Sequence, residues 1–167
     1  MSTKRLDANF FRRDVLTVAP ELVGKLLCCG NKVLRITETE AYRGQEDTAC
    51  HASRGRTRRT EPLYHVGGTI YVYLCYGMHE LFNLVTGEEG QPQAVLIRAC
   101  EGYAGPGKLT KALGIDRRYN GRDITRTPDL LVMSDGWAGE LRATPRVGIG
   151  YAAKEDQEKP WRFILKN

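Results

Sequence analysis

No apolar run in this sequence is long enough to cross a bilayer as a helix, and no basic leader with an apolar core opens it. The expectation is a soluble, cytoplasmic protein. Cysteine is scarce and odd in number, with Cys28, Cys29, Cys50, Cys75 and Cys100 falling mostly inside apolar runs and forming no C-x-x-C pair. They read as reduced core residues, not a disulfide framework. Only three histidines occur, His51, His65 and His79, and none combines with cysteine at tetrahedral-site spacing, so no metal and no cofactor is expected. Internal repeats, low-complexity tracts and linkers are absent, which makes residues 1–167 one domain, long enough to bury a proper core.

The charge balance is basic: 25 Lys and Arg against 20 Asp and Glu, a net +5. That favours polyanionic partners without establishing one. Two helices are predicted near the start, over residues 7–11 and 14–27, the second supported by Pro20 at an early position and by Leu22, Val23, Leu26 and Leu27 at helical spacing, with an end near Gly30. Further on, residues 69–86 read as a hairpin around Tyr76-Gly77-Met78, with Tyr71 and Tyr73 on one face and Ile70, Val72 and Leu74 on the other. The paired tyrosines are either an aromatic stacking platform or ordinary strand formers. Residues 93–101, 145–151 and 161–165 read as further strands, which points to a single mixed α/β domain.

The chemistry concentrates in residues 35–51. Strand alternation puts Leu34 and Ile36 on one face and carries that face on into Glu38, Glu40 and Tyr42. Turn residues Gly44 and Asp47 follow, then His51, so a carboxylate, a phenol and an imidazole can converge at one strand end. Arg98 interrupts a nearly apolar strand and wants an anionic partner, either a structural ion pair or a site carboxylate such as Glu40. Arg54, Arg56, Arg58 and Arg59 form either a solvated loop or a phosphate clamp. Gly105-Pro106-Gly107-Lys108 opens a short helix whose free N–H groups can hold a phosphate, though without P-loop spacing.

Glu38-Thr39-Glu40-Ala41-Tyr42, His51, Tyr71 through Met78, Asn83, Leu96-Ile97-Arg98 and Gly105 through Leu109, in that order and at that spacing, resemble the alkyladenine (3-methyladenine, methylpurine) DNA glycosylase family. The likeness runs from about Phe10 to about Phe163. It implies a compact α+β fold on a curved antiparallel sheet, with flanking helices and a protruding hairpin that enters the DNA minor groove. It also implies excision of alkylated or deaminated purines, such as 3-methyladenine and hypoxanthine, from double-stranded DNA, by a monomer acting at the nucleoid. By this resemblance Glu40 is the catalytic general base, and Arg98 with the Val147 carbonyl positions the attacking water. Tyr42, His51 and Tyr73 sandwich the flipped base, and Asn83 obstructs the exocyclic amino group of guanine. Tyr76, with Met78 beside it, fills the gap left in the duplex, while Arg54, Arg56, Gly107 and Lys108 contact phosphates. His79 and Glu80 depart from the family pattern, standing where members vary among aromatic and basic residues.

Two rivals bracket this expectation. One is a DNA binder that has kept the hairpin and the basic loop without turnover, against which the intact Glu40 and Arg98 count. The other is a small protein handling a phosphorylated metabolite at Gly105 to Lys108, which leaves Tyr76 at the hairpin tip unexplained.

Overall fold

A computed structural model describes residues 2–167. In chain order its elements are β1 (Lys4–Arg5), α1 (Ala8–Phe11), α2 (Val15–Leu22), β2 (Leu26–Cys29), β3 (Lys32–Arg43), β4 (Ile70–Cys75), β5 (His79–Thr86), β6 (Gln93–Cys100), β7 (Tyr103–Ala104), α3 (Pro106–Leu113), β8 (Leu130–Ser134), β9 (Leu141–Thr144), α4 (Lys154–Glu158) and β10 (Arg162–Leu165). All ladders are antiparallel, in the order β1-β8-β2-β3-β6-β5-β4, with β10 joining β3 to β9 and β7 added to β6. The sheet curls into a half-barrel, an α+β arrangement.

β3 is long because it serves two neighbours in turn along one edge. Its first half pairs with β2 and its second half with β10, while β6 runs along the other edge. The register against β6 slips at Glu38, a bulge that reverses the alternation. Ile36, Thr39 and Ala41 consequently face the core, and the Thr39 hydroxyl donates to the Ala19 carbonyl of α2 at 2.8 Å. Glu38, Glu40 and Tyr42 therefore point to the opposite face from Ile36. A continuous alternation through Glu40 is thus corrected: Ile36 and Thr39, three residues apart, both face the core, which turns Glu38 and Glu40 to the other face.

The inner face of the sheet closes on α2 and α3 through fully buried Leu22, Ile36, Ile70, Phe82, Ile97 and Leu109. Burial of each such side chain contributes on the order of 1.5–3 kcal/mol. α2 is shorter than its apolar spacing predicts. Asp14 caps it by accepting from the Leu16 N–H at 2.8 Å, and it ends at Leu22, with Pro20 in its last turn and not near its start. Gly24 then adopts φ +97° and donates its N–H to the Ile36 carbonyl at 2.8 Å, turning the chain so that Leu26–Cys29 becomes a strand between β3 and β8. A two-sided ladder there outweighs the helical spacing of Leu22, Val23, Leu26 and Leu27.

The hairpin expected over residues 69–86 is formed by β4 and β5, with Tyr71 opposite Asn83 and Cys75 opposite His79. Residues 145–151, read as a strand, are instead a loop with Gly148 at φ +73°; the strand is one step earlier, at β9. All five cysteines are free thiols, and no described helix is long and apolar enough to cross a membrane.

Candidate active site

Glu40 lies between Leu96 of β6 and Arg162 of β10, and its side chain is completely buried. Each carboxylate oxygen has a donor aimed at it. Tyr42 donates its hydroxyl to Oε1 at 2.8 Å, and the Val147 amide donates to Oε2 at 2.7 Å. Arg98 Nη1 approaches Oε1 at 3.5 Å. Burial first, and then the neighbouring Glu40 charge, raises the Tyr42 hydroxyl well above the ordinary phenol range, so Tyr42 remains a donor. Of the two partners open to Arg98 it takes both, since its Nε also donates to Glu38 Oε2 at 2.9 Å.

Tyr42 also forms one wall of an adjoining pocket, whose other walls include His51, Tyr71, Tyr73, Asn83 and Tyr151. His51 lies edge-on to Tyr73, ring centroids 4.4 Å apart, and its Nδ1 is 2.9 Å from the Tyr71 hydroxyl. Burial pushes that hydroxyl up to about 12. Asn83 is turned by bonds from its amide to the carbonyls of Tyr71 at 3.2 Å and Leu81 at 3.3 Å. Burial, reinforced by the Arg59 and Arg54 charges, lowers His51 from 6.5 to about 4, so the imidazole is neutral at pH 7.

The linkage follows from that shift. Between about pH 6.5 and 4 the unfolded chain binds the His51 proton and the folded chain does not. Stability present above pH 6.5 is therefore lost as pH falls through that window. Thermal melts of wild type and His51→Gln across pH 7 to 4 are expected to show the steeper decline in wild type; parallel declines would place His51 outside this linkage.

A broader cleft opens onto the cavity, shares Tyr42, His51, Tyr73 and Tyr151 with it, and is edged by Tyr76, Gly107 and Lys108. Tyr76 stands at the turn of the hairpin, 89% exposed, with Met78 74% exposed beside it. The turn needs two residues at positive φ, and Tyr76 supplies one at +52° ahead of Gly77 at +67°. A tyrosine in the left-handed region is uncommon and costs on the order of 1–3 kcal/mol, a strain that marks functional sites. On α3, Gly107 packs against His79, where an added Cβ would lie 2.6 Å from Nδ1. Arg54 rests over Tyr151 at 5.8 Å, whereas Arg56 forks onto Glu61 at 2.6 and 2.8 Å and covers Tyr64 at 4.8 Å.

Three contributors were not assigned roles from the sequence. Tyr151 lines both compartments, and its hydroxyl donates to the Ala49 carbonyl at 2.7 Å. Glu38 binds both Arg98 and Arg162. Arg146, fully buried, forks onto Asp47 at 2.6 and 2.9 Å and lies between the rings of Tyr42 and Trp161, 5.0 Å from each. Only the glycines around Tyr151 hinted that its loop approaches a site. Among the described residues no cluster of three or more His, Cys, Asp or Glu side chains is placed to hold a metal ion.

A buried carboxylate with two hydrogen-bond donors and an arginine close by, next to an aromatic-walled pocket, is an arrangement suited to hydrolysis. The comparisons make the class specific. The family model of methylpurine-DNA glycosylases matches residues 9–104 and 101–167, and the chain belongs to that family. Relatives provisionally named 3-methyladenine DNA glycosylase include one from Nitrosococcus oceani, 46% identical over 98% of this chain and 90% of its own length. Others are from Borrelia garinii, 43% identical over 97% of this chain and 96% of its own, and from Sodalis glossinidius, 43% identical over 98% of each.

Proposed function

We propose that this protein is a monofunctional DNA glycosylase that hydrolyses the N-glycosidic bond of alkylated or deaminated purines, 3-methyladenine and hypoxanthine among them, flipped out of duplex DNA. The observation that carries the reading is the buried Glu40 carboxylate, hydrogen-bonded on both oxygens, beside the cavity walled by Tyr42, His51 and Tyr73. The protein works as a monomer on cytoplasmic DNA, and the product is an abasic site.

A base stacked in a duplex is out of reach, and extruding it costs a few kcal/mol of stacking. Tyr76, with Met78, enters from the minor groove and replaces the lost stack, while the flipped base lies between Tyr42 on one side and His51 and Tyr73 on the other. A cationic alkylpurine gains cation–π attraction in that slot. Asn83, fixed by its two carbonyl bonds, obstructs the amino group of guanine. Arg54, Gly107 and Lys108 hold phosphates along the cleft, and Arg56 does so with the guanidinium edge left over from its Glu61 fork.

As the glycosidic bond breaks, the sugar takes on oxocarbenium character. Glu40 stabilises that charge and takes a proton from the attacking water, which Arg98 and the Val147 carbonyl position. No lysine lines the inner cavity, and Lys108 at the edge of the cleft is taken up with a phosphate, so the sugar is left to water and the strand stays intact.

Single-turnover assays on duplexes with one 3-methyladenine or one hypoxanthine test the reading. Wild type is expected to release both bases and to leave an intact strand that breaks only after alkali. Lesion binding without release would instead identify a binder, and strand cleavage without alkali would remove the monofunctional assignment. Tyr76→Gly separates insertion from folding. The melting point is expected to hold or rise, because glycine relieves the positive φ. Excision falls between about five- and a hundredfold with the loss of roughly 1–3 kcal/mol of stacking. Unchanged excision would exclude Tyr76 as the wedge.

A further inference from the structure

Four charged side chains stand in a row across the outer face of the sheet: Arg162 on β10, Glu38 on β3, Arg98 on β6 and Glu40 on β3. Glu38 Oε2 accepts from Arg98 Nε at 2.9 Å and from Arg162 Nε at 3.0 Å, and its Oε1 accepts from Arg162 Nη2 at 2.9 Å. Arg98 meets Glu40 less closely, with Nη1 at 3.5 Å from Oε1. A guanidinium free to choose clamps a carboxylate through two parallel bonds of about 2.7–2.9 Å. Here the fork is diverted. Glu38 and Glu40, two residues apart on β3, share one face, and the nearer Glu38 holds the Nε edge of Arg98.

The diversion matters for lone pairs. An ionised carboxylate offers about four acceptor sites. Glu40 uses one on Oε1 for Tyr42 and one on Oε2 for Val147. A two-pronged Arg98 would occupy the remaining sites and the space that a nucleophilic water needs. Resting on the reading of Glu40 as general base, we propose that Glu38 is a positioning residue that holds Arg98 off Glu40 and so keeps room for the water, while Arg162 moderates that pull.

The groups facing Glu40 set the sign of the pH effect. Glu38 and Tyr42 face it from β3, Arg98 from β6, Arg162 from β10, Arg146 from the loop before Val147, and Tyr73 from β4. Removing the Glu38 charge releases Arg98 towards Glu40 and leaves the cations in excess; both changes favour the charged carboxylate. Removing the Arg162 charge does the reverse.

The test is the pH dependence of single-turnover excision on a duplex carrying a cationic alkylpurine, whose departure requires no protonation, so that the acidic limb reports a carboxylate. For Glu38→Gln the plateau rate is expected to fall at least about tenfold, and the acidic limb to move to lower pH. For Arg162→Gln the limb moves higher and the plateau stays within about threefold. Lesion-duplex affinity, measured in parallel, stays within about threefold for both, which certifies folded protein. A lowered plateau with an unmoved limb makes Glu38 merely structural, and a moved limb with an unchanged plateau makes it a distant charge; either result overturns positioning. Glu40→Gln, run beside them, keeps the two readings apart. If it excises at the wild-type rate, the general-base assignment fails; if it is inactive while the Glu38→Gln profile matches wild type, only the positioning claim fails.

Discussion

Glu40→Gln is expected to lower single-turnover excision by about 10²–10⁴-fold, the range that a positioned general base supplies, while the protein folds and binds lesion duplex as well as wild type does. The substitution suits this site for a geometric reason. A glutamine keeps one acceptor for the Val147 amide, which lies 2.7 Å from Oε2 in the wild type. Its amide nitrogen faces the Tyr42 oxygen, and that hydroxyl can rotate to accept instead of donate. Arg98 retains Glu38 as its close partner. The Tyr42 proton then needs another acceptor and the new amide lies beside Arg98, so a melt of the variant run beside the excision assay is what assigns a loss of excision to the missing base. Alanine would be a poorer choice, since it strands the Tyr42 hydroxyl and the Val147 amide, each at about 1–3 kcal/mol. Glu40→Asp keeps the charge but retracts it by one methylene, and a displacement of about 1 Å can cost on the order of 10²-fold. Anisotropy with a labelled lesion duplex, beside quenched-flow excision, separates binding from bond cleavage. Glu40→Gln excision within about tenfold of wild type would remove Glu40 from the role of general base.

What could be read ahead of the structure follows the reach of the interactions involved. The β4–β5 hairpin was legible because period-two alternation and a Tyr-Gly-Met turn are local, and β4 and β5 do pair around that turn. β6 and β10 were legible for the same reason, as were the residues around Glu40 as a group. The face of Glu40 was not legible, because the irregular pairing at Glu38 depends on β6, some sixty residues away in sequence. The helix predicted through Leu27 failed because β2 is held by β3 and β8, and helical spacing of leucines carries no information about either. Residues 145–151, with their glycines, were read as a strand. They form a loop, and what fixes that loop is a side chain 99 residues from its partner, Arg146 on Asp47. Asp47 had been read only as a turn residue. It does make the turn, accepting from the amides of Arg43 at 2.9 Å and Ala49 at 3.1 Å, but the same carboxylate holds the loop that carries Val147.

That double use gives Asp47→Ala the largest expected effect on stability. The Arg146 guanidinium spends four N–H groups: Nη1 donates to the Ala41 carbonyl at 2.9 Å and to Asp47, and Nη2 to Asp47 and to the Asp156 carbonyl at 3.1 Å. With both side chains essentially inaccessible to solvent, removing the carboxylate leaves a buried cation with only carbonyls and two ring faces for company. Breaking a buried pair in this way costs about 3–5 kcal/mol. For a chain of this length that lowers the melting midpoint by roughly 10 °C. Replacing both partners by apolar residues, as in Asp47→Ala with Arg146→Met, removes the uncompensated charge and is expected to recover much of the loss. Excision should not recover with it. The double variant lacks the fork that ties the Val147 segment to the Asp47 turn and the cation that backs the Tyr42 ring, so both donors to Glu40 are less well placed. Thermal melts and single-turnover rates on the same preparations decide between the two uses of the pair. Recovery of both stability and rate would make the Asp47–Arg146 bridge a matter of folding alone, whereas recovered stability with a rate still depressed at least about tenfold shows that the bridge places the groups around Glu40.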